Sequence, residues 1–136
     1  MIARRARLGR MGHTLTPRAL KSMGKHGRVQ NVQSCVGADG YHYHSRAEAR
    51  VAAELELRVK AKDIRGFDRQ VWLRLMVNGV KVCSYVADFD IQHNDGSREI
   101  LEVKGWQSPE WRIKRKLFEA TWLKEHPGVK FTVRPA

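Results

Sequence analysis

Residues 86–105 read V-A-D-F-D-I-Q-H-N-D-G-S-R-E-I-L-E-V-K-G, and this stretch decides the fold. Two runs of strand character flank Asn94-Asp95-Gly96, residue types that suit a hairpin connection, so the segment is expected to fold back on itself antiparallel. With the reversal centred on Asp95, Asp88 stands opposite Glu102 and Val86 opposite Lys104. Alternate residues of a strand share a face, so Asp88, Glu102 and Lys104 are expected to point the same way. Directly opposed like charges destabilise a sheet. At roughly 5 Å and an effective dielectric of about 20, the repulsion is on the order of 3 kcal/mol before screening. A divalent cation held by both carboxylates offsets that cost, and hard oxygen ligands suit Mg2+ or Mn2+. Lys104 is then placed to meet a substrate phosphate or a bound water. The plainer alternative is an exposed polar face on which Lys104 pairs with Glu102 or Asp88.

Around this hairpin, 136 residues with 42% apolar and 29% charged content fit one domain with one core. The net charge of +12 and a pI near 10.3 call for a polyanionic partner, nucleic acid first. No apolar run approaches membrane-spanning length and no signal-peptide core stands near the start, so no membrane partner is expected. Cys35 and Cys83 lack the C-x-x-C spacing of a zinc site and favour a reducing cytoplasm.

The charge is concentrated at the start. Residues 1–38 carry Arg4, Arg5, Arg7, Arg10, Arg18, Lys21, Lys25 and Arg28 and no acid, so they account for +8 of the total. We read residues 1–40 as a basic, mobile arm and 41–136 as the folded domain. Three roles fit the arm: tracking a phosphate backbone, solubilising the chain, or serving as a transit peptide. Thr16-Pro17-Arg18 has the chemistry to open a short helix through Met23.

Tyr41 to His44 alternates like a short strand, with His42 and His44 as polar positions or, less simply, a metal pair. A helix is expected from about Arg46 to Lys62, opened by the capping-box spacing Ser45-x-x-Glu48. Its apolar stripe takes in Ala52, Leu55 and Val59, and Glu48 lies on that stripe, free either to cap or to reach the edge of an underlying sheet. Glu54 and Glu56 fall off it as solvent charges. A strand through Gln70–Leu75, the hairpin dipeptide Asn78-Gly79, a return strand Val80–Ile91 and a third strand Ser97–Lys104 follow. Ser108-Pro109-Glu110 opens a second helix that runs to about Glu125 and stops at Pro127-Gly128. Leu117, Phe118, Ala120 and Trp122 supply its apolar positions, and Arg112, Lys114, Arg115 and Lys116 a basic patch. Val129, Phe131 and Val133 alternate as a last strand, expected parallel to the third through a right-handed crossover. Trp106 and Trp111 are candidates either for stacking on bases or for core packing.

Helix, three antiparallel strands, helix and strand in this order resemble the PD-(D/E)XK nuclease superfamily. Asp88 and Glu102-Val103-Lys104 occupy the places of its signature, and Glu48 matches the glutamate that many members add from the first helix. S-R-A-E-A, F-D-R-Q-V, Y-V-A-D-F, E-V-K-G-W and K-R-K-L-F are similar more closely to a family of small phage-encoded proteins of uncharacterised function within it, over roughly Tyr41 to Val133. Ala87 stands where the signature has proline. The resemblance implies an α/β, restriction-endonuclease-like αβββαβ core, a mixed four-stranded sheet flanked by two helices. It implies a Mg2+- or Mn2+-dependent DNA endonuclease acting in phage DNA processing or recombination in a bacterial cytoplasm. Asp88 and Glu102 would hold the cation, with the Val103 carbonyl and Glu48 as further ligands, Lys104 as the catalytic cation and Gln107 as a polar neighbour. Arg4, Arg5, Arg7, Arg10, Arg112, Lys114, Arg115 and Lys116 would contact duplex or branched DNA, and a homodimer is compatible. Two other expectations stay open: a structure-specific Holliday-junction resolvase, and a non-catalytic DNA-binding protein that retains the nuclease fold.

Overall fold

The computed structural model describes residues 33–136. The basic arm with Arg4, Arg5, Arg7 and Arg10, and the short helix expected at Thr16, lie outside the described residues. Two short strands come first, β1 (Cys35–Val36) and β2 (His42–Tyr43), paired antiparallel. β2 is the strand expected around Tyr41–His44, and β1 lies in the segment read as arm.

Helix α1 (Arg46–Lys60) follows. Ser45 caps it as its spacing with Glu48 requires: the Ser45 hydroxyl accepts the Glu48 N–H at 3.1 Å. Val51, Ala52 and Leu55 are buried on its inner face, and Val59 packs beside them. Glu56 is not a solvent charge. It accepts from Arg69 at 2.7 Å, and the same guanidinium bonds Asp39 at 2.7 Å and the Tyr43 hydroxyl at 2.6 Å, tying the β1–β2 turn to α1. Glu54 is exposed as expected and pairs at the surface with Arg134 at 2.8 Å.

The sheet has four strands in the order β3 (Ile64–Val77), β4 (Val80–His93), β5 (Arg98–Val103) and β6 (Val129–Arg134). β3–β4 and β4–β5 are antiparallel and β5–β6 parallel, the mixed arrangement expected from the crossover. Asn78 and Gly79 both take left-handed backbone, φ 49° and 77°, as a two-residue hairpin turn demands. Between β5 and β6 lie α2 (Pro109–Ala120) and α3 (Trp122–Glu125). The single helix expected to reach Glu125 is broken at Thr121 (φ −116°, ψ −86°), whose hydroxyl bonds back to the Leu117 carbonyl at 2.7 Å.

One layer of core lies on each face of the sheet. Under α1 are Tyr43, Val51, Leu55, Ile64, Phe89, Ile91, Leu101 and Val103. Under α2 and α3 are Leu73, Leu75, Tyr85, Ala87, Ile100 and Phe118. These memberships expose an inversion. Phe89 and Ile91 face α1, yet Ala87 and Tyr85, at the same parity along β4, face α2. On β3, Phe67 packs toward α1 and Val71 toward α2. The alternation therefore flips at Gln70 and Asp88. Gln70 stands at φ 49°, unusual for a residue with a side chain, and this left-handed step rotates the strand. Residues 87–91 are all buried as a result. Among the described residues no helix is long and apolar enough to cross a membrane.

Candidate active site

The expected hairpin register is formed where the strands pair: Phe89 faces Leu101, Asp90 Ile100, Ile91 Glu99 and Gln92 Arg98. The ladder ends there, so Val86 does not pair with Lys104 as expected. Beyond its end the inversion at Asp88 redirects the carboxylate. Asp88 Oδ2 accepts the Val103 N–H at 2.7 Å, and Oδ1 accepts from Gln70 Nε2 at 3.5 Å. Asp88 thus closes the splayed end of the ladder with its side chain.

Glu102, on β5, is 4% exposed. Its Oε1 accepts the indole N–H of Trp111 at 3.2 Å and lies 3.8 Å from Lys104 Nζ. Its Oε2 is buried and makes no hydrogen bond among the described residues, and neither does the nearby Tyr85 hydroxyl. A buried, unpartnered carboxylate oxygen is costly and calls for a donor or a cation. Burial, and next the charge of Asp88, push the Glu102 carboxyl up to about 7. Burial does the same to Asp88, reaching about 6; the Val103 N–H opposes it and the charge of Glu48 adds to it. Burial raises the Tyr85 hydroxyl too, helped by the Glu102 charge.

Lys104 follows β5 and is half-buried, its ammonium 5.5 Å from the centre of the Trp111 ring. It stands between Glu102 and the indole, a cation against both a carboxylate and an aromatic face. Glu48 approaches from the other layer. Its carboxylate accepts the His44 N–H at 3.2 Å and the Ser45 hydroxyl at 3.0 Å, so it caps α1 while its charge reaches Asp88. The two helix starts share one device. Ser108 caps α2 through the Trp111 N–H at 3.1 Å as Ser45 caps α1 through Glu48, and the third residue of α2, Trp111, carries its indole to Glu102. The positive ends of both helix dipoles lie near the carboxylates.

Three carboxylates from α1, β4 and β5 therefore interact electrostatically, with Lys104 among them. They do not form a ready cage: no group of three or more His, Cys, Asp or Glu among the described residues is gathered as a metal site, His42 and His44 included. Hard oxygen donors, the orphaned Glu102 Oε2 and two carboxyls raised mainly by burial, with neighbouring carboxylate charge adding to it, are the chemistry that a divalent cation satisfies. The donor set fits through Asp88 and Glu102; Glu48 is committed to its cap.

The remaining expected residues divide. Gln107 is half-buried in the β5–α2 loop. Trp111 is the buried tryptophan and Trp106, at 61%, the exposed one. On α2, Lys114 pairs with Glu110 at 3.6 Å and Arg115 with Glu119 at 2.8 Å, while Arg112 and Lys116 stay exposed. The basic patch is thus partly neutralised within its own helix. Tyr85, Trp111 as a donor and Gln70 escaped the sequence reading. For Trp111 a signal exists, since Ser108-x-x-Trp111 repeats the spacing Ser45-x-x-Glu48.

Residues 30–133 match the protein family described as "Protein of unknown function (DUF1064)". No curated protein matches the chain.

Proposed function

The chain belongs to this DUF1064 family, the match taking in well over half of its residues, and we propose that it is a metal-dependent DNA endonuclease of PD-(D/E)XK type. The observation that carries this reading is the buried pair Asp88 and Glu102, with one carboxylate oxygen unpartnered and the Lys104 ammonium 3.8 Å from the other. Burying two ionisable acids costs stability, and perturbed acids gathered with a cation mark functional sites.

Asp88 and Glu102 would hold Mg2+ or Mn2+, with the Val103 carbonyl as a further oxygen donor. Such a cation supplies positive charge beside the scissile phosphate and eases deprotonation of the attacking water. The protein's own residues do the rest. The Val103 N–H fixes one Asp88 oxygen, and the Trp111 indole fixes one of Glu102, so the opposite oxygens keep constant direction. Lys104 orients the nucleophile or neutralises charge developing on the phosphate. Glu48 adds negative charge at Asp88 from the α1 cap. Arg112 and Lys116 serve as backbone contacts on DNA, which position it without reading sequence.

The commitment of Glu48 to its cap favours one rival, a DNA-binding protein that retains the fold without chemistry. Cleavage of plasmid and four-way-junction DNA in Mg2+, Mn2+ or EDTA, beside Glu102→Ala and Lys104→Ala, separates the two. We expect metal-dependent cutting that both variants lose, with binding in EDTA changed by less than about threefold. Tight binding without cutting by the wild-type protein would leave the rival standing, and a preference for the junction would make the enzyme structure-specific.

A further inference from the structure

The distal half of the β3–β4 hairpin has one covered face and one bare one. Leu73, Leu75 and Tyr85 turn toward α2 and α3. On the other side Trp72 pairs with Val86 and Arg74 with Ser84, and α1 reaches only the proximal half, over Ile64, Phe67 and Phe89. Trp72 is 73% exposed, more than any other large apolar residue described. The hairpin from Arg69 to Ala87 contains no acid. Arg74 and Lys81 are exposed on it and make no ion pair among the described residues, whereas Arg58, Arg69, Arg98 and Arg134 all do. This face also leads to the site. Val86, the ladder partner of Trp72, is two residues from Asp88, or about 7 Å along the strand.

We propose that this bare hairpin face binds single-stranded DNA, with Trp72 stacking on an unpaired base and Arg74 and Lys81 holding the flanking phosphates. An exposed indole on a hairpin segment that carries cations and no acid of its own is the combination that single strands select, because every base offers a π-face and every linkage a charge. A blunt duplex offers no free base face along its length. A second copy of the chain is disfavoured as the occupant, since a two-fold contact would bring Arg74 and Lys81 toward their own equivalents in a protein of net charge +12. The proposal rests on the nuclease reading in one respect: it makes the preferred substrate a DNA with unpaired bases beside the cut.

The test is binding by the full chain in EDTA, followed by fluorescence anisotropy of labelled oligothymidylate of about 16 nucleotides, with a blunt duplex and oligouridylate alongside. Trp72→Ala is expected to weaken the single strand about tenfold, Trp72→Phe to keep most of the affinity, and the blunt duplex to change less than about twofold. Arg74→Ala and Lys81→Ala should each flatten the salt dependence by about 0.7 in slope. Trp72 is exposed, so unchanged thermal unfolding of the variants is expected and checked. Equal affinity of Trp72→Ala and wild type for oligothymidylate would overturn the proposal. So would an equal loss on the blunt duplex, a larger loss on oligouridylate, or a dimer in sedimentation that Trp72→Ala dissolves. Because EDTA removes cleavage, failure here leaves the nuclease reading intact, and absent Mg2+-dependent cutting with intact Trp72-dependent binding removes only that reading.

Discussion

Glu102 spends one oxygen on the Trp111 indole and leaves the other buried without a partner, and that asymmetry sets the energetics around it. Asp88 and Glu102 both titrate above the ordinary carboxylate range, mainly through burial. A raised acid binds its proton more tightly folded than unfolded. Between about pH 4 and 7 the native state therefore holds more protons, and stability falls as pH rises through that window. In metal-free protein, urea unfolding across this range should show a decline, and Asp88→Asn should flatten it and raise stability at pH 8 by about 1–3 kcal/mol. Added Mg2+ should raise the wild-type unfolding midpoint more at pH 8 than at pH 5, an effect that Asp88→Asn loses. A pH-independent wild-type midpoint would mean that neither carboxyl is raised in the folded protein. That the two acids are neighbours was legible from the turn and its register, but the ladder ends at Phe89–Leu101, so the inversion at Asp88 rather than the period of the strand sets how its carboxylate meets β5. Tyr85 and Trp111 were not legible, since their polar atoms reach Glu102 through twist and helix placement rather than through spacing.

At the scale of elements, caps and turns were the most legible features. Ser45, Ser108 and Asn78-Gly79 act through a few neighbouring atoms, so local chemistry suffices to place them. The break at Thr121 and the inversion at Gln70 were illegible because neither residue type demands its backbone: a threonine also sits inside helices, and its back-bond to Leu117 is one option among several, while glutamine has no preference for a left-handed step. Gln70 is the more consequential. Its left-handed backbone carries a strain of about 1–3 kcal/mol in a residue with a side chain. Gln70→Val, adding β-branching there, should cost about 2 kcal/mol or more in unfolding free energy, and Gln70→Gly should stay within about 1 kcal/mol of wild type. Equal effects of the two would show that the backbone at this position does not matter.

For the whole molecule, the element order announced the mixed sheet and the net charge of +12 pointed to a polyanionic partner, while the division of the core into two layers came only with the structure. One sheet joins them, and the acids stand at the seam: Glu48 belongs to the α1 layer, Trp111 and Tyr85 to the other, and Asp88 is where β4 changes sides. Native-state hydrogen exchange should resolve two protection groups that meet at this seam, with Val103, whose N–H is held by Asp88, losing protection in Asp88→Ala ahead of its neighbours. Uniform loss along β5 would mark a single cooperative unit. The turn of the backbone at Gln70 has one more effect. Among the described residues β3, 14 residues long, is an edge strand of the sheet, and a long edge invites strand addition by another chain. A left-handed step near its middle breaks that edge into two short, misaligned templates. The residue at which the strand turns is thus also the one that interrupts its edge, so a variant with a straightened β3 is expected to lose solubility together with the geometry around Asp88, which turbidity on concentration would show.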